Sequence, residues 1–313
     1  MHGGPGSGKP RSVTPRGERG TGRHSVTVSR PEKVLFAEDG ITKADLAAYY
    51  RTVAPRMLPQ LRGRPLMLER HPDGTGGRGF LQKEIPEHFP DRVHRAELPK
   101  EGGTVTYVLC QDTATLVLLA DQACVTLHRW LSRADRPDHP DRLVFDLDPP
   151  DDDFSRVREA ARWLHGLLDE LELPSLAMTT GSRGLHVLVP LDRRAPFDDV
   201  RAFASDVAAV LAGRHPGRLT TEARKKARAG RLYLDVQRNG YGQTAVAPYA
   251  VRARPGAPVA APLTWDDVED PDLGARRWTL ADAERLRKEN PWSPAPRPRS
   301  LTAAAARLRR LGP

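Results

Sequence analysis

The stretch Arg142–Asp148 (RLVFDLD) limits the architecture more than any other part of the chain. Leu143, Val144, Phe145 and Leu147 make an apolar run, and Pro149-Pro150 cuts it off, so it reads as a strand with a defined end. Side chains two apart on a strand share a face, which makes Asp146 and Asp148 project together. Two carboxylates at that range repel, and burying them unpaired is expensive. On a rigid strand end they suit a hard cation, Mg²⁺ or Mn²⁺. The competing reading is an exposed acidic turn, because Asp151, Asp152 and Asp153 follow at once.

The elements around this strand follow from spacing. Thr42 and Asp45 form a capping box that opens a helix through Leu46, Tyr49, Tyr50 and Val53. The segment 104–110 (TVTYVLC) alternates and is rich in β-branched residues, so a strand is expected; 116–130 reads as a short helix and then a strand. Helical spacing of Val157, Ala160, Ala161, Leu164, Leu167 and Leu168 predicts a helix over 155–171. Strands at 176–180 and 185–191 are joined by the turn Gly181-Ser182-Arg183-Gly184, and a second helix covers 197–213. A basic loop at 222–231 leads into a strand at 232–237. Strands and helices alternate without a strict βαβ rhythm, which points to an α+β fold with a mostly antiparallel central sheet and flanking helices.

Residues 26–292 are expected to form the ordered domain, between a basic disordered arm (1–25) and a Pro- and Arg-rich tail (293–313) that ends in a helix at 301–311. The arm contains Gly3, Gly8 and Lys9 at phosphate-loop spacing, but no strand precedes them and Pro10 follows, which rejects that motif. The chain has 313 residues, 39% hydrophobic and 28% charged, enough apolar material to exclude wholesale disorder. Its formal net charge of +9 favours a polyanionic partner, nucleic acid first. Two cysteines, Cys110 and Cys124, are too few for a disulfide framework and match no zinc spacing. No apolar run reaches the roughly 20 residues of a membrane span. A reduced cytoplasmic setting without a membrane partner is expected.

A third carboxylate, Asp235, stands among Leu232, Leu234 and Val236 in LYLDVQRN. If that strand pairs with Arg142–Asp148, three carboxylates converge, as two-metal phosphoryl transfer requires. A salt bridge from Asp235 to Arg238 or Arg252 is the simpler alternative. Gly181 and Gly184 permit a tight turn whose backbone N–H groups can approach phosphate, with Ser182, Arg183 and His186 as side-chain donors. With both acidic strands, a nucleoside triphosphate site is the better explanation of that turn.

Taken in order, VFDLDPP, TTGSRGLHVLVPL and LDVQRNGYGQTAVAPYAVRARPGAPVAAPLTW resemble the polymerase domain of bacterial DNA ligase D. That domain is part of the archaeo-eukaryotic primase superfamily and serves non-homologous end joining with Ku. The resemblance runs from about Arg30 to Trp292. It implies a DNA-directed nucleotidyltransferase with two metal ions, Mn²⁺ or Mg²⁺, held by Asp146, Asp148 and Asp235. It further implies nucleotide contacts at Ser182, Arg183, Gly184, His186, His128 and Arg252, with ribonucleotides preferred. Lys33 and Lys43 match a basic pair that holds the 5′-phosphate at a gap in DNA. Arg70, Phe80, Arg224, Lys225 and Arg228 match DNA-contacting positions. Ku and a DNA ligase are the implied partners, at the nucleoid.

Two departures stand out. Leu81 follows Phe80 where relatives carry two adjacent aromatics that stack on template bases, and Glu69 stands where some have a second basic residue. No ligase motif or nuclease segment fits, so a stand-alone polymerase or one excised domain is expected. A non-catalytic module that grips a 5′-phosphate and bridges ends is the alternative, disfavoured because clustered acids repel DNA phosphates. A haloacid-dehalogenase-type phosphatase is disfavoured because Pro150 stands where Thr or Val is needed.

Overall fold

Arg142–Asp148 is a strand over the expected residues, and it lies inside a six-stranded sheet. The computed structural model describes residues 26–311, so the 1–25 arm and its Gly-rich motif lie outside the described residues. The strand order is Leu219–Thr220, Leu232–Asp235, Arg142–Asp148, Leu185–Pro190, Leu176–Thr179, Pro262–Leu263. All neighbouring pairs are antiparallel except the first, which is parallel. The α+β expectation holds, with a mostly antiparallel central sheet.

Alternation divides the central strand. Leu143, Phe145 and Leu147 point away from the Asp146 face and are fully buried. The helices Phe154–Glu170 and Phe197–Arg214 pack against this sheet. The first is capped by Asp153, whose side chain accepts from Ser155 N–H, and it buries all six apolar residues of its predicted stripe. The strand expected over 232–237 stops at Asp235. There the Asp235 carboxylate accepts the Gln237 N–H at 2.8 Å and turns the chain into the 3₁₀ helix Gln237–Asn239.

A second, wholly antiparallel sheet has the order Thr244–Val246, Cys124–Trp130, Leu66–Arg70, Phe80–Gln82. The helix Lys43–Leu61 opens with the predicted Thr42–Asp45 capping box. The Tyr50 hydroxyl of that helix donates to Val125 O at 2.7 Å and accepts the Val251 N–H at 3.2 Å, tying it to this sheet. One continuous core joins helices and both sheets. The C-terminal helix Leu301–Leu311 joins it too, burying Leu301, Ala304 and Leu308, while Arg299 pairs beside Leu191. Cys110 and Cys124 are buried free thiols. Among the described residues, no helix is long and apolar enough to cross a membrane.

Candidate active site

Cross-strand register assembles the site. Asp146 faces Asp235 on one side and His186 on the other, and Asp148 faces Tyr233. Directly opposed carboxylates on a ladder are destabilising unless something positive sits between them. Here arginines and a histidine gather round the carboxylates. Asp148 takes Arg228 Nη1 at 2.7 Å and Arg183 Nη2 at 3.3 Å; Asp146 takes His186 Nε2 at 3.5 Å and Arg238 Nε at 3.6 Å. Burial raises the Asp146 pKa, but His186 and Arg238 outweigh it and hold the carboxyl below the ordinary carboxylate range. Neither alternative partner of Asp235 is the observed one: Arg238 pairs with Asp146, and the Arg252 guanidinium donates to Thr180 O at 2.7 Å.

The turn 181–184 is forced by close approach. Gly181 has φ +63°, and a Cβ there would come within 2.8 Å of Arg252 Cγ and the Val259 backbone. At Gly184 a Cβ would meet Leu147 O at 2.3 Å, between the two acidic residues of the central strand. Thr180, which sequence reasoning passed over, organises the turn: its hydroxyl donates to Gly184 O and accepts the N–H groups of Ser182 and Gly184. Those two N–H groups therefore serve the turn itself. His186 Nδ1 and Arg252 Nε are buried with no partner among the described residues.

A cleft of about 240 Å³ opens here, lined by His128, Asp146, Asp148, Ser182, Arg183, Gly184, His186 and Arg252 together with Thr180, Arg238, Val246 and Arg254. Arg238 and Arg254 are additions that only the fold reveals. Burial lowers the Arg252 pKa, with Glu69 and Asp146 opposing and Arg254 reinforcing it. All-oxygen carboxylate donors on neighbouring rigid strands fit a hard divalent cation. As the side chains stand, no three His, Cys, Asp or Glu groups close on a common point among the described residues. Each of the three carboxylates has its own partner: Arg228 on Asp148, Arg238 on Asp146 and the Gln237 N–H on Asp235.

The other predicted contacts lie outside this cleft. Arg224 and Lys225 are exposed on the 222–231 loop, whose Arg228 reaches inward and stacks over the Tyr233 ring at 4.2 Å. Phe80 and Leu81 are exposed on an edge strand, and Arg70 lies over the Phe80 ring at 5.5 Å. Lys33 and Lys43 are joined through the backbone, Lys43 N–H donating to Lys33 O at 2.8 Å. The Lys43 ammonium, however, turns inward, buried against Asp121 Oδ1 at 3.2 Å and Ser29 Oγ at 3.1 Å. Nothing local to Lys43 signals those partners, which lie 78 and 14 positions away.

Fold and cleft together define a primase-type α+β domain. Residues 42–292 match the family model described as LigD, primase-polymerase domain, and the chain belongs to that family. It is 34% identical over 251 residues to the multifunctional non-homologous end joining protein LigD of Mycolicibacterium smegmatis, covering 79% of this chain and 33% of that protein. Against the LigD protein of Pseudomonas aeruginosa it is 32% identical over 292 residues, covering 92% and 34%. The chain thus spans about a third of the length of these curated relatives. Its structure is similar to that of the polymerase domain from Mycobacterium tuberculosis ligase D in complex with DNA, with a TM-score of 0.78 and 32% identity over 85% of this chain and 99% of that one.

Proposed function

We propose that this domain is a template-directed nucleotidyltransferase that extends a primer strand across gaps at DNA double-strand breaks, in the course of non-homologous end joining. The carrying observation is the cleft lined by Asp146, Asp148, Gly184 and His186, with Asp235 paired directly opposite Asp146 on the next strand, in a member of this family. Asp146, Asp148 and Asp235 would hold two divalent ions, Mn²⁺ or Mg²⁺. Bound there, such ions supply activation of the primer 3′-hydroxyl and charge neutralisation at the departing pyrophosphate.

The protein's own groups do the rest. Arg252, fixed by Thr180 O, is a donor for the triphosphate of the incoming nucleotide, and His186, held by Asp146, lines the pocket beside it, with Ser182 and Arg183 at its edge. Arg228 and Arg183 must release Asp148 before it can serve a metal, which makes the 222–231 loop part of the working site. Lys33 would meet the 5′-phosphate of the downstream strand, with the buried Lys43–Asp121 pair fixing the backbone behind it. Relatives named as multifunctional non-homologous end joining proteins support the repair setting; a DNA ligase and Ku as partners, in the cytoplasm, belong to the same proposal. A preference for ribonucleotides belongs to the same reading.

Primer extension on a gapped duplex, with each metal and with both sugar types, tests this directly. Template-matched addition in the presence of Mn²⁺ or Mg²⁺, stronger with ribonucleotides, is the expected result. Tight binding of the duplex with no extension under any combination would instead establish a non-catalytic end-binding module.

A further inference from the structure

Behind the part of the cleft wall formed by His128 sits a carboxylate that the proposed chemistry leaves unused. Glu69 lies on the strand Leu66–Arg70, paired with Cys124–Trp130 so that Met67 faces His128 and Glu69 faces Thr126. Glu69 and His128 are therefore diagonal neighbours on one face, within reach of long side chains. The register shifts between Glu69 and Arg70, an irregularity of the kind that re-aims side chains beside functional sites. Glu69 Oε1 lies 3.2 Å from His71 Nε2, and Oε2 lies 3.5 Å from His128 Nε2. The His71 ring is held from behind by Gly79, where a Cβ would come within 2.3 Å of its Cε1.

Charge sharpens the geometry. Burial raises the Glu69 pKa, yet hydrogen bonds from His128 and His71 override it and bring the carboxyl down to about 2. The group is thus anionic at any working pH and can only accept. His128 Nε2 must then carry the proton it donates to Glu69, and Nδ1 is the ring atom left without a partner among the described residues. Burial lowers the His128 pKa, Glu69 opposes that, and Arg252 and Arg238 reinforce it, so the neutral ring is favoured.

We propose that Glu69 is a positioning residue of the nucleotide pocket, fixing His128 in the Nε2–H tautomer and in one orientation so that Nδ1 serves as an acceptor for the bound nucleoside triphosphate. This rests on reading the cleft as the nucleotide site. A carboxylate behind a functional imidazole is a general means of setting both tautomer and ring angle. Glu69 itself does not line the cleft, so its influence runs through His128.

Two measurements test it. Ring ¹⁵N NMR of the histidines in the protein without nucleotide reads the His128 tautomer, and calorimetric titration with ATP and Mn²⁺ reads the pocket. The titration is run on the unchanged protein, Glu69→Gln, His128→Ala and the double variant. The expected results are an Nε2–H tautomer in the unchanged protein, about tenfold weaker ATP binding in Glu69→Gln, and no further loss from Glu69→Gln once His128 is Ala. An Nδ1–H tautomer in the unchanged protein, which needs no variant to observe, overturns the proposal. So does an equal loss from Glu69→Gln with and without His128, the mark of a purely structural residue. Absence of ATP binding by the unchanged protein overturns the nucleotide reading of the cleft itself, a result distinct from binding that ignores Glu69.

Discussion

A methyl group added at Gly184 would sit 2.3 Å from Leu147 O, and backbone cannot swing away as a side chain tip can. Overpacking of this kind costs about 1–3 kcal/mol. Here the displaced carbonyl lies between Asp146 and Asp148, so catalysis should suffer more than stability. Gly184→Ala is expected to lower the urea midpoint modestly and to reduce nucleotide addition sharply; unchanged values of both would mean that the turn has slack. Part of this site was legible residue by residue and part was not. Gly184, Asp146, Asp148, Ser182, His186 and Arg252 could be singled out because chemistry at those spacings is specific, and they do line one cleft, with Asp235 on the strand beside it. Arg238, Arg254 and Thr180 could not, since an arginine in a basic chain or a threonine in a strand carries no local signal. The inward turn of Lys43 was equally illegible, because its partner Asp121 belongs to a distant helix end.

The element that fixes the site's position is the central strand, and its entry is held by charge. Asp141, just before the strand, accepts from Arg64 Nη2 at 2.8 Å and from Arg133 Nε at 2.9 Å. Arg64 is buried, and burial brings its pKa down to about 10 despite Asp141. Breaking a buried pair by removing one charge costs about 3–5 kcal/mol, because the other is left uncompensated. Asp141→Asn should therefore lower stability by an amount of that order in denaturant titration, and a loss under 1 kcal/mol would contradict the anchoring role. The sign of the pH effect follows. Burial would raise the Asp141 pKa, but Arg64, Arg142 and Arg133 overcome it and hold the carboxyl well below the ordinary range. Its contribution is thus fully present above the unfolded value near 3.8 and is lost as pH falls toward the folded one. The periodic helix Phe154–Glu170 was readable from sequence to within a residue or two, and the capping box fixed the start of Lys43–Leu61, whose course past Val53, through Pro55 and Pro59, was not read. Of the second sheet only the strand within 116–130 was read; Leu66–Arg70, Phe80–Gln82 and Thr244–Val246 are short, and the pairings of the central strand Cys124–Trp130 join segments far apart in the chain. The end of the Leu232–Asp235 strand was missed because a side-chain hydrogen bond, rather than composition, stops it.

At the scale of the whole molecule, a net charge of +9 draws any DNA, and only specific contacts can tell one end from another. Lys33 stands in a segment braced by the buried Lys43–Asp121 pair. A duplex with a recessed 5′-phosphate should bind about tenfold more tightly than one ending in 5′-OH, the worth of one charge-assisted contact. Lys33→Ala should remove that preference while leaving the affinity for the 5′-OH end nearly intact; equal affinity of the unchanged protein for both ends would return Lys33 to the general basic surface. The proposed primer extension depends on whether the opposed carboxylates carry catalysis. The most direct measurement is single-nucleotide incorporation at a gapped duplex by the unchanged protein and by Asp146→Asn, with DNA affinity determined on the same samples at one stated salt concentration. The expected result is loss of incorporation with DNA binding retained or slightly tighter, because a negative charge near phosphates has been removed. Normal incorporation by Asp146→Asn would contradict the assignment of the site.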